Sequence, residues 1–197
     1  AFATPILLST GQGSHVALFS YYLLLNVAIG VVAWLRVWRA LNLLGFLSTF
    51  IVATAWGALK SAPEQYATTQ PFLIAFFLIY VAIGLYYALR HSTADANAKH
   101  QTLDGMLIFG TPIVAFALQT QLVAHTPYGA AISAVVLSVV YVLLAFSIRL
   151  RNHPLAQWLT LSYAALALIF ATLAVPLAVD SRLTAAIWAI EGAGVFW

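Results

Sequence analysis

Two polar residues, Glu191 and Asn26, lie inside long apolar segments and are the side chains of this sequence best placed to do chemistry. In a helix, Glu191 lies about 14 Å beyond Arg182, which puts its carboxyl group near the middle of a bilayer. An ionisable group at that depth is costly, and it typically holds a proton, coordinates a cation or pairs with a basic group. The alternative is structural, because one hydrogen bond from such a group can hold two helices together.

Asn26 is the second candidate, about 15 Å into its own apolar segment. Other polar side chains occur at a similar depth: Ser48, Thr49, Tyr80, Thr111, Ser138 and Tyr163. If they face one another, they form with Glu191 a polar layer of the kind that lines a substrate or ion path. Alternatively, the serine and threonine hydroxyls bond to backbone carbonyls one turn back in their own helices. The sequence leaves both arrangements open.

The segment RHSTADANAKHQTLD at 90–104 contains two histidines and two aspartates, the residue types of a metal or hydrolase site. Their spacing lacks the His-x-x-x-His pair and the third ligand of a helical zinc site. We therefore expect a solvated loop, in which Asp104 caps or begins the following helix. The chain has no cysteine, and no phosphate-binding loop, dinucleotide fingerprint or nucleophile elbow occurs in it. The sequence predicts no catalytic residue, no metal and no cofactor.

The composition indicates what surrounds these residues. Of the 197 residues, 63% are hydrophobic and only 7% are charged, and the mean hydropathy is +0.97. Soluble domains contain about 25% charged residues, so this chain lacks the charges that cover a soluble surface. Its net charge of +3 comes from a few basic residues in short loops. A soluble enzyme and a nucleic-acid-binding protein are thereby excluded, and an integral membrane protein is indicated.

Apolar segments of about 20 residues, the length that a helix needs to cross the hydrocarbon core, recur along the chain. Complete spans are predicted at 16–35, 40–58, 71–89, 104–123, 129–147 and 155–178. Residues 1–9 and 183–197 resemble parts of two further helices, so we expect a fragment of a longer multi-pass chain. The predicted fold is all-α, a polytopic transmembrane bundle of six complete and two partial spans, paired as hairpins with cytoplasmic turns. Residues 1–197 are expected to form one transmembrane domain.

The basic residues predict the orientation of the spans. Six of the eight occur in alternate loops: Arg36, Arg39, Arg90, Lys99, Arg149 and Arg151. The opposite side has only Lys60 and Arg182. Because lysine and arginine are enriched on the cytoplasmic side, we expect the loops with Arg36, Arg90 and Arg149 in the cytoplasm.

A short motif occurs twice, as VAIGVVAWLR at 27–36 and as VAIGLYYALR at 81–90. The copies are 54 residues apart, and both fall on spans that run in the same direction. A duplicated helical hairpin would explain this match. Chance would explain it equally well, because apolar helices use few residue types. A duplication would give a parallel repeat, unlike the inverted repeats of many secondary transporters.

Four stretches carry a resemblance to a known family: RALNLLGFLSTF at 39–50, QPFLIAFFLIY at 70–80, DGMLIFGTPIVAF at 104–116 and SRLTAAIWAIEGAGVFW at 181–197. Over nearly its whole length the chain resembles the large bacterial multi-pass membrane proteins grouped as domain of unknown function 2339. The resemblance implies a place in the bacterial cytoplasmic membrane and a longer parent chain. It implies no reaction, ligand or catalytic residue.

Three classes of function remain. Scarce intramembrane charge and short loops favour a scaffold or a subunit of a cell-envelope complex. Its partners would be the lipid bilayer, the remaining helices of the parent chain and other membrane proteins, with no nucleic acid. A transporter or channel using Glu191 and Asn26 is the alternative. A membrane-embedded enzyme acting on an envelope polymer or lipid-linked substrate is the third, with 90–104 as its only candidate site.

Cysteine labelling tests the orientation, because the chain has no native cysteine. Thr93→Cys should resist a membrane-impermeant thiol reagent added outside intact cells, since position 93 is expected in the cytoplasm. Ser61→Cys should react with the same reagent. Labelling at both positions, or at position 93 alone, contradicts the predicted orientation.

Overall fold

The computed structural model describes residues 15–35, 38–60, 65–90, 98–150 and 156–179. Six helices account for most of them: α1 (His15–Leu35), α2 (Arg39–Lys60), α3 (Tyr66–Arg90), α4 (Ala98–Leu122), α5 (Gly129–Arg149) and α6 (Ala156–Ala178). Each is long and apolar enough to cross a membrane, and the described residues contain no strand. The predicted all-α architecture with six spans is confirmed. Both partial spans lie outside the described residues.

The chain divides into two compact units, residues 1–122 and 123–197. In the first unit, α1 packs against α2 and α3, and α4 packs against the same two helices. The order around this four-helix bundle is therefore α1, α2, α4, α3. Hydrocarbon favours such a bundle because each helix satisfies its backbone hydrogen bonds internally.

Helices α1 and α3 run in the same direction, and their contacts keep a nearly constant offset along the chain. At one end, His15 Nε2 lies 2.8 Å from Thr68 Oγ1. At the other end, Tyr86 OH donates to the carbonyl of Trp34 at 3.1 Å, and the two rings stack with centroids 5.2 Å apart. The two copies of the VAIG motif, 54 residues apart, therefore lie side by side at the same level of the bundle.

Helix α2 returns antiparallel to α1 and approaches it closely at Gly45. A Cβ atom on Gly45 would lie 2.7 Å from Ile29 Cδ1 and 3.0 Å from Tyr80 OH. By contrast, a Cβ atom on Gly30 would meet nothing within 4 Å. The missing side chain at Gly45 thus lets the α2 backbone lie against its neighbours, as small residues do in membrane helix packing.

The second unit contains α5 and α6, which pack antiparallel along most of their length. Ser138 Oγ donates to the carbonyl of Ala167 at 2.9 Å, and the Tyr141 and Tyr163 rings lie 5.5 Å apart. The buried face of α5 consists largely of small residues: Ala131, Ala134, Tyr141, Ala145 and Ile148. The rest of its surface exposes large apolar side chains, among them Val135, Val139, Val142 and Phe146. The pair therefore uses one face of α5 for packing and leaves the remaining surface for lipid or further helices.

Two helices begin earlier than the sequence predicts. Helix α3 begins at Tyr66 rather than at residue 71, because Pro71 lies in its second turn, where it removes only one backbone hydrogen bond. The apolar span of α4, Gly105–Leu122, agrees with the predicted 104–123, but the helix itself begins at Ala98, since residues 98–103 contain good helix formers and no glycine or proline. The expectation that Asp104 caps or begins this helix is wrong, because Asp104 lies in its second turn.

Candidate functional site

Asn26, Thr49 and Tyr80 meet in the interior of the first unit and form what we call the midplane cluster. Asn26 Nδ2 donates a hydrogen bond to Thr49 Oγ1 at 2.8 Å, and Tyr80 OH donates to Asn26 Oδ1. Thr49 Oγ1 also lies 3.2 Å from Asn26 Oδ1. None of the three residues is more than 2% exposed. The amide of Asn26 thus joins α1 to both α2 and α3.

The midplane cluster lies near the middle of the helices that contribute to it. Asn26 is about 16 Å from the start of α1 and about 14 Å from its end. Thr49 is about 15 Å from the start of α2, and Tyr80 is about 21 Å from the start of α3 and about 15 Å from its end. Since the hydrocarbon core extends about 15 Å to either side of its centre, a cluster in the middle part of these helices lies well inside it.

Helical periodicity places the three side chains toward one another. The buried face of α1 repeats at intervals of three and four residues, with Asn26 at its centre: Phe19, Tyr22, Asn26, Ile29 and Ala33. Thr49 follows the buried Phe46 by three residues on α2, and Tyr80 follows the buried Phe76 by four residues on α3. The packing faces of three helices therefore converge on these polar groups.

Apolar groups surround the midplane cluster. The Tyr80 ring meets Phe46 edge to face with centroids 5.3 Å apart, and its centroid lies 5.9 Å from that of Phe50. On the Gly45 side, the missing Cβ atom leaves room for the Tyr80 hydroxyl and for Asn26 Oδ1. In this low-dielectric setting the amide and the two hydroxyls bond to one another more strongly than they would in water.

The other polar residues at this depth have separate partners. Ser48 and Thr111 donate to backbone carbonyls of their own helices, at 3.0 Å and 2.6 Å. For these two residues the alternative of bonding within the helix is therefore the one observed. Ser138 and Tyr163 belong to the second unit. Glu191 lies outside the described residues, so its relation to the midplane cluster stays a prediction.

The side chains of the midplane cluster are suited to hydrogen bonding and not to metal binding. An amide, an aliphatic hydroxyl and a phenol supply neither a carboxylate nor an imidazole for binding a metal. Across the described part of the chain, no group of three His, Asp or Glu side chains comes together as metal ligands.

The structure has a cavity of about 270 Å³ at one end of the first unit. The sequence does not predict this cavity. Residues near the starts of α1 and α3 and near the ends of α2 and α4 line it. The one sequence feature that could have indicated the cavity is on α2, where the small residues Ala53 and Gly57 are about one turn apart. These small residues leave space beside large aromatic side chains from the neighbouring helices.

The sequence profile of one family, described as predicted membrane protein (DUF2339), matches residues 1–197. The chain belongs to this family. The expected resemblance is confirmed, and the family description agrees with the six apolar helices. No curated protein and no solved structure matches the chain.

Removal of the Thr49 hydroxyl should destabilise this DUF2339 protein. Thr49→Val keeps the side-chain volume but leaves Asn26 Nδ2 without its acceptor in hydrocarbon, so we expect a loss of about 0.5–2 kcal/mol in the free energy of unfolding. The matched control is Thr111→Val, which removes an equally buried hydroxyl that bonds only within α4. Reversible unfolding in detergent measures both, and equal losses would contradict a linking role for Thr49.

Proposed function

We propose that this protein is a scaffold of the bacterial cytoplasmic membrane, a subunit that holds a cell-envelope complex together. One observation carries the proposal: the polar side chains of the midplane cluster bond to one another and are at most 2% exposed. Interhelical hydrogen bonds of this kind fix helices in place. A path for ions or substrates needs polar groups that face water or the substrate instead.

The outer surface supports the same role. Along α5 the exposed side chains form a continuous apolar stripe, with Val135, Val139, Val142 and Phe146 all at least half exposed. Such a surface suits lipid tails and the flat sides of other membrane helices equally well. A scaffold presents surfaces of this type to its partners, namely the remaining helices of the parent chain and other membrane proteins.

The location in the cytoplasmic membrane and the orientation form part of the proposal. The excess of basic residues supports a cytoplasmic position for the loops with Arg36, Arg90 and Arg149. The parallel course of α1 and α3 supports a common side for Arg36 and Arg90, since in the sequence Arg36 comes directly after α1 and Arg90 is the last residue of α3.

Photo-cross-linking tests the scaffold role in living cells. A photoreactive amino acid is placed in the parent protein at Val135, Val139, Val142 and Phe146, one position at a time. A partner helix packed on the stripe should give a discrete protein adduct of one mass, strongest at two or three of these positions. Irradiation that yields lipid adducts but no protein adduct at any of the four contradicts the scaffold proposal for this surface.

The transporter alternative predicts a different result at Glu191. In liposomes containing the parent protein, it requires a proton or cation flux that Glu191→Gln abolishes while the amount of folded protein stays unchanged. That result would overturn the scaffold proposal. For a scaffold we expect no flux above that of empty liposomes, and any effect of Glu191→Gln should appear in the yield of folded protein.

A further inference from the structure

The cavity at one end of the first unit has the features of a ligand-binding site. Four aromatic side chains line it, together with two small residues that provide the space: Phe19, Trp56, Phe72, Phe76, Ala53 and Gly57. A Cβ atom added at Gly57 would meet nothing within 4 Å. Its volume of about 270 Å³ is close to the lower end of the range for small-molecule sites.

One polar atom in the cavity wall is buried and unsatisfied. Thr69 is only 9% exposed, and its Oγ1 has no hydrogen-bond partner among the described residues. Its neighbour Thr68 donates to the carbonyl of Gln65, and Thr54 in the same cavity wall donates to the carbonyl of Phe50. Buried polar atoms nearly always have a partner, so the group that occupies the cavity is expected to bond to Thr69.

The residues lining the cavity are all uncharged. Their polar side chains are Thr54, Thr69 and Gln121, and the rest are apolar or aromatic. A charged group buried here would have no opposite charge in the lining, which is strongly unfavourable in a low-dielectric site. The occupant is therefore neutral, largely apolar, and carries a hydrogen-bonding atom that reaches Thr69.

The depth of the cavity specifies the occupant further. Thr69 lies three residues into the apolar span Tyr66–Tyr86, which is about 4.5 Å from its end. Gly57 and Leu122 are the last residues of two other apolar spans. At this level of a bilayer the hydrocarbon chains give way to the glycerol esters of the lipids.

From these four observations we infer that the cavity binds one acyl chain of a neutral glycerolipid, whose ester carbonyl accepts a hydrogen bond from the Thr69 hydroxyl. The aromatic walls enclose the chain, and the lipid's glycerol remains at the polar boundary. The binding site is independent of the scaffold role, since it depends only on residues at one end of the first unit.

Photolabelling with a defined lipid tests this assignment. The full chain is placed in nanodiscs of dioleoyl phosphatidylcholine that contain a small fraction of diacylglycerol with a diazirine in one acyl chain. After irradiation, peptide mapping should find adducts concentrated on the cavity lining, and excess unlabelled diacylglycerol should suppress them. Even labelling along the lipid-facing helix surfaces, without enrichment in the cavity, overturns the proposal.

Two pairs of variants separate cavity binding from general contact with lipid. Gly57→Leu puts a side chain into the cavity and should reduce cavity labelling at least about fivefold. Gly30→Leu adds the same side chain at another open position outside the cavity lining and should leave it unchanged. Equal labelling of these two variants overturns the proposal.

The second pair tests the hydrogen bond and remains informative if Gly57→Leu fails to fold. Thr69→Val should weaken cavity labelling about five- to tenfold, the effect of one lost hydrogen bond in an apolar site. Thr111→Val, which alters a buried threonine that bonds within its own helix and lies outside the cavity lining, should retain the labelling. Unchanged labelling of Thr69→Val overturns the assignment of Thr69 as the donor. A cavity filled by water or by another segment of the chain would give no adduct there, which also overturns the proposal.

Discussion

In the centre of a bilayer a polar side chain has no water to bond with, and this constraint governs the first unit of the protein. Asn26 meets it by bonding to Thr49 and Tyr80, side chains supplied by two other helices. The amide of Asn26 would be unfavourable alone at this depth, and the two hydroxyls satisfy it. The relative positions of α1, α2 and α3 follow, since a shift of any one helix along its axis separates the pairs.

The constraint also explains two features that are far apart in the sequence. Asn26 and Tyr80 immediately precede the two copies of the VAIG motif, so the bond between them sets the copies side by side. Glycine is favoured at position 45, because a Cβ atom there would lie 2.7 Å from Ile29 Cδ1 and 3.0 Å from the Tyr80 hydroxyl. Register between the parallel helices and close approach between the antiparallel ones thus meet at the same polar contact.

Much of the fold can be predicted from the sequence because spanning a membrane demands long apolar segments. The depth of Asn26, Thr49 and Tyr80 can be predicted as well, from the rise of a helix. Their contact cannot, because helices that are apolar on every side carry no pattern showing which face packs inward. Helix α4 extends beyond its apolar span for a local reason: Asp104 suits a helix start, but the residues before it also favour helix.

The cavity was not predictable from residue types, because it depends on which large side chains stand opposite Ala53 and Gly57. Such complementarity between helices appears only once the bundle order is known. Its wall contains the buried hydroxyl of Thr69, which has no hydrogen-bond partner among the described residues. The first unit thus contains two kinds of polar group. The midplane cluster makes its hydrogen bonds within itself, which suits a scaffold, whereas Thr69 near one boundary can bond to a ligand.

A double-mutant cycle between Asn26 and Tyr80 tests the central claim most directly. The free energies of unfolding of Asn26→Leu, Tyr80→Phe and the double variant are measured in the same detergent and compared with that of the original chain. If the midplane cluster joins α1 to α3, the two substitutions are non-additive, with a coupling energy of about 0.5–2 kcal/mol. Additive losses, with a coupling energy of zero within error, would show that the contact does not hold these helices together.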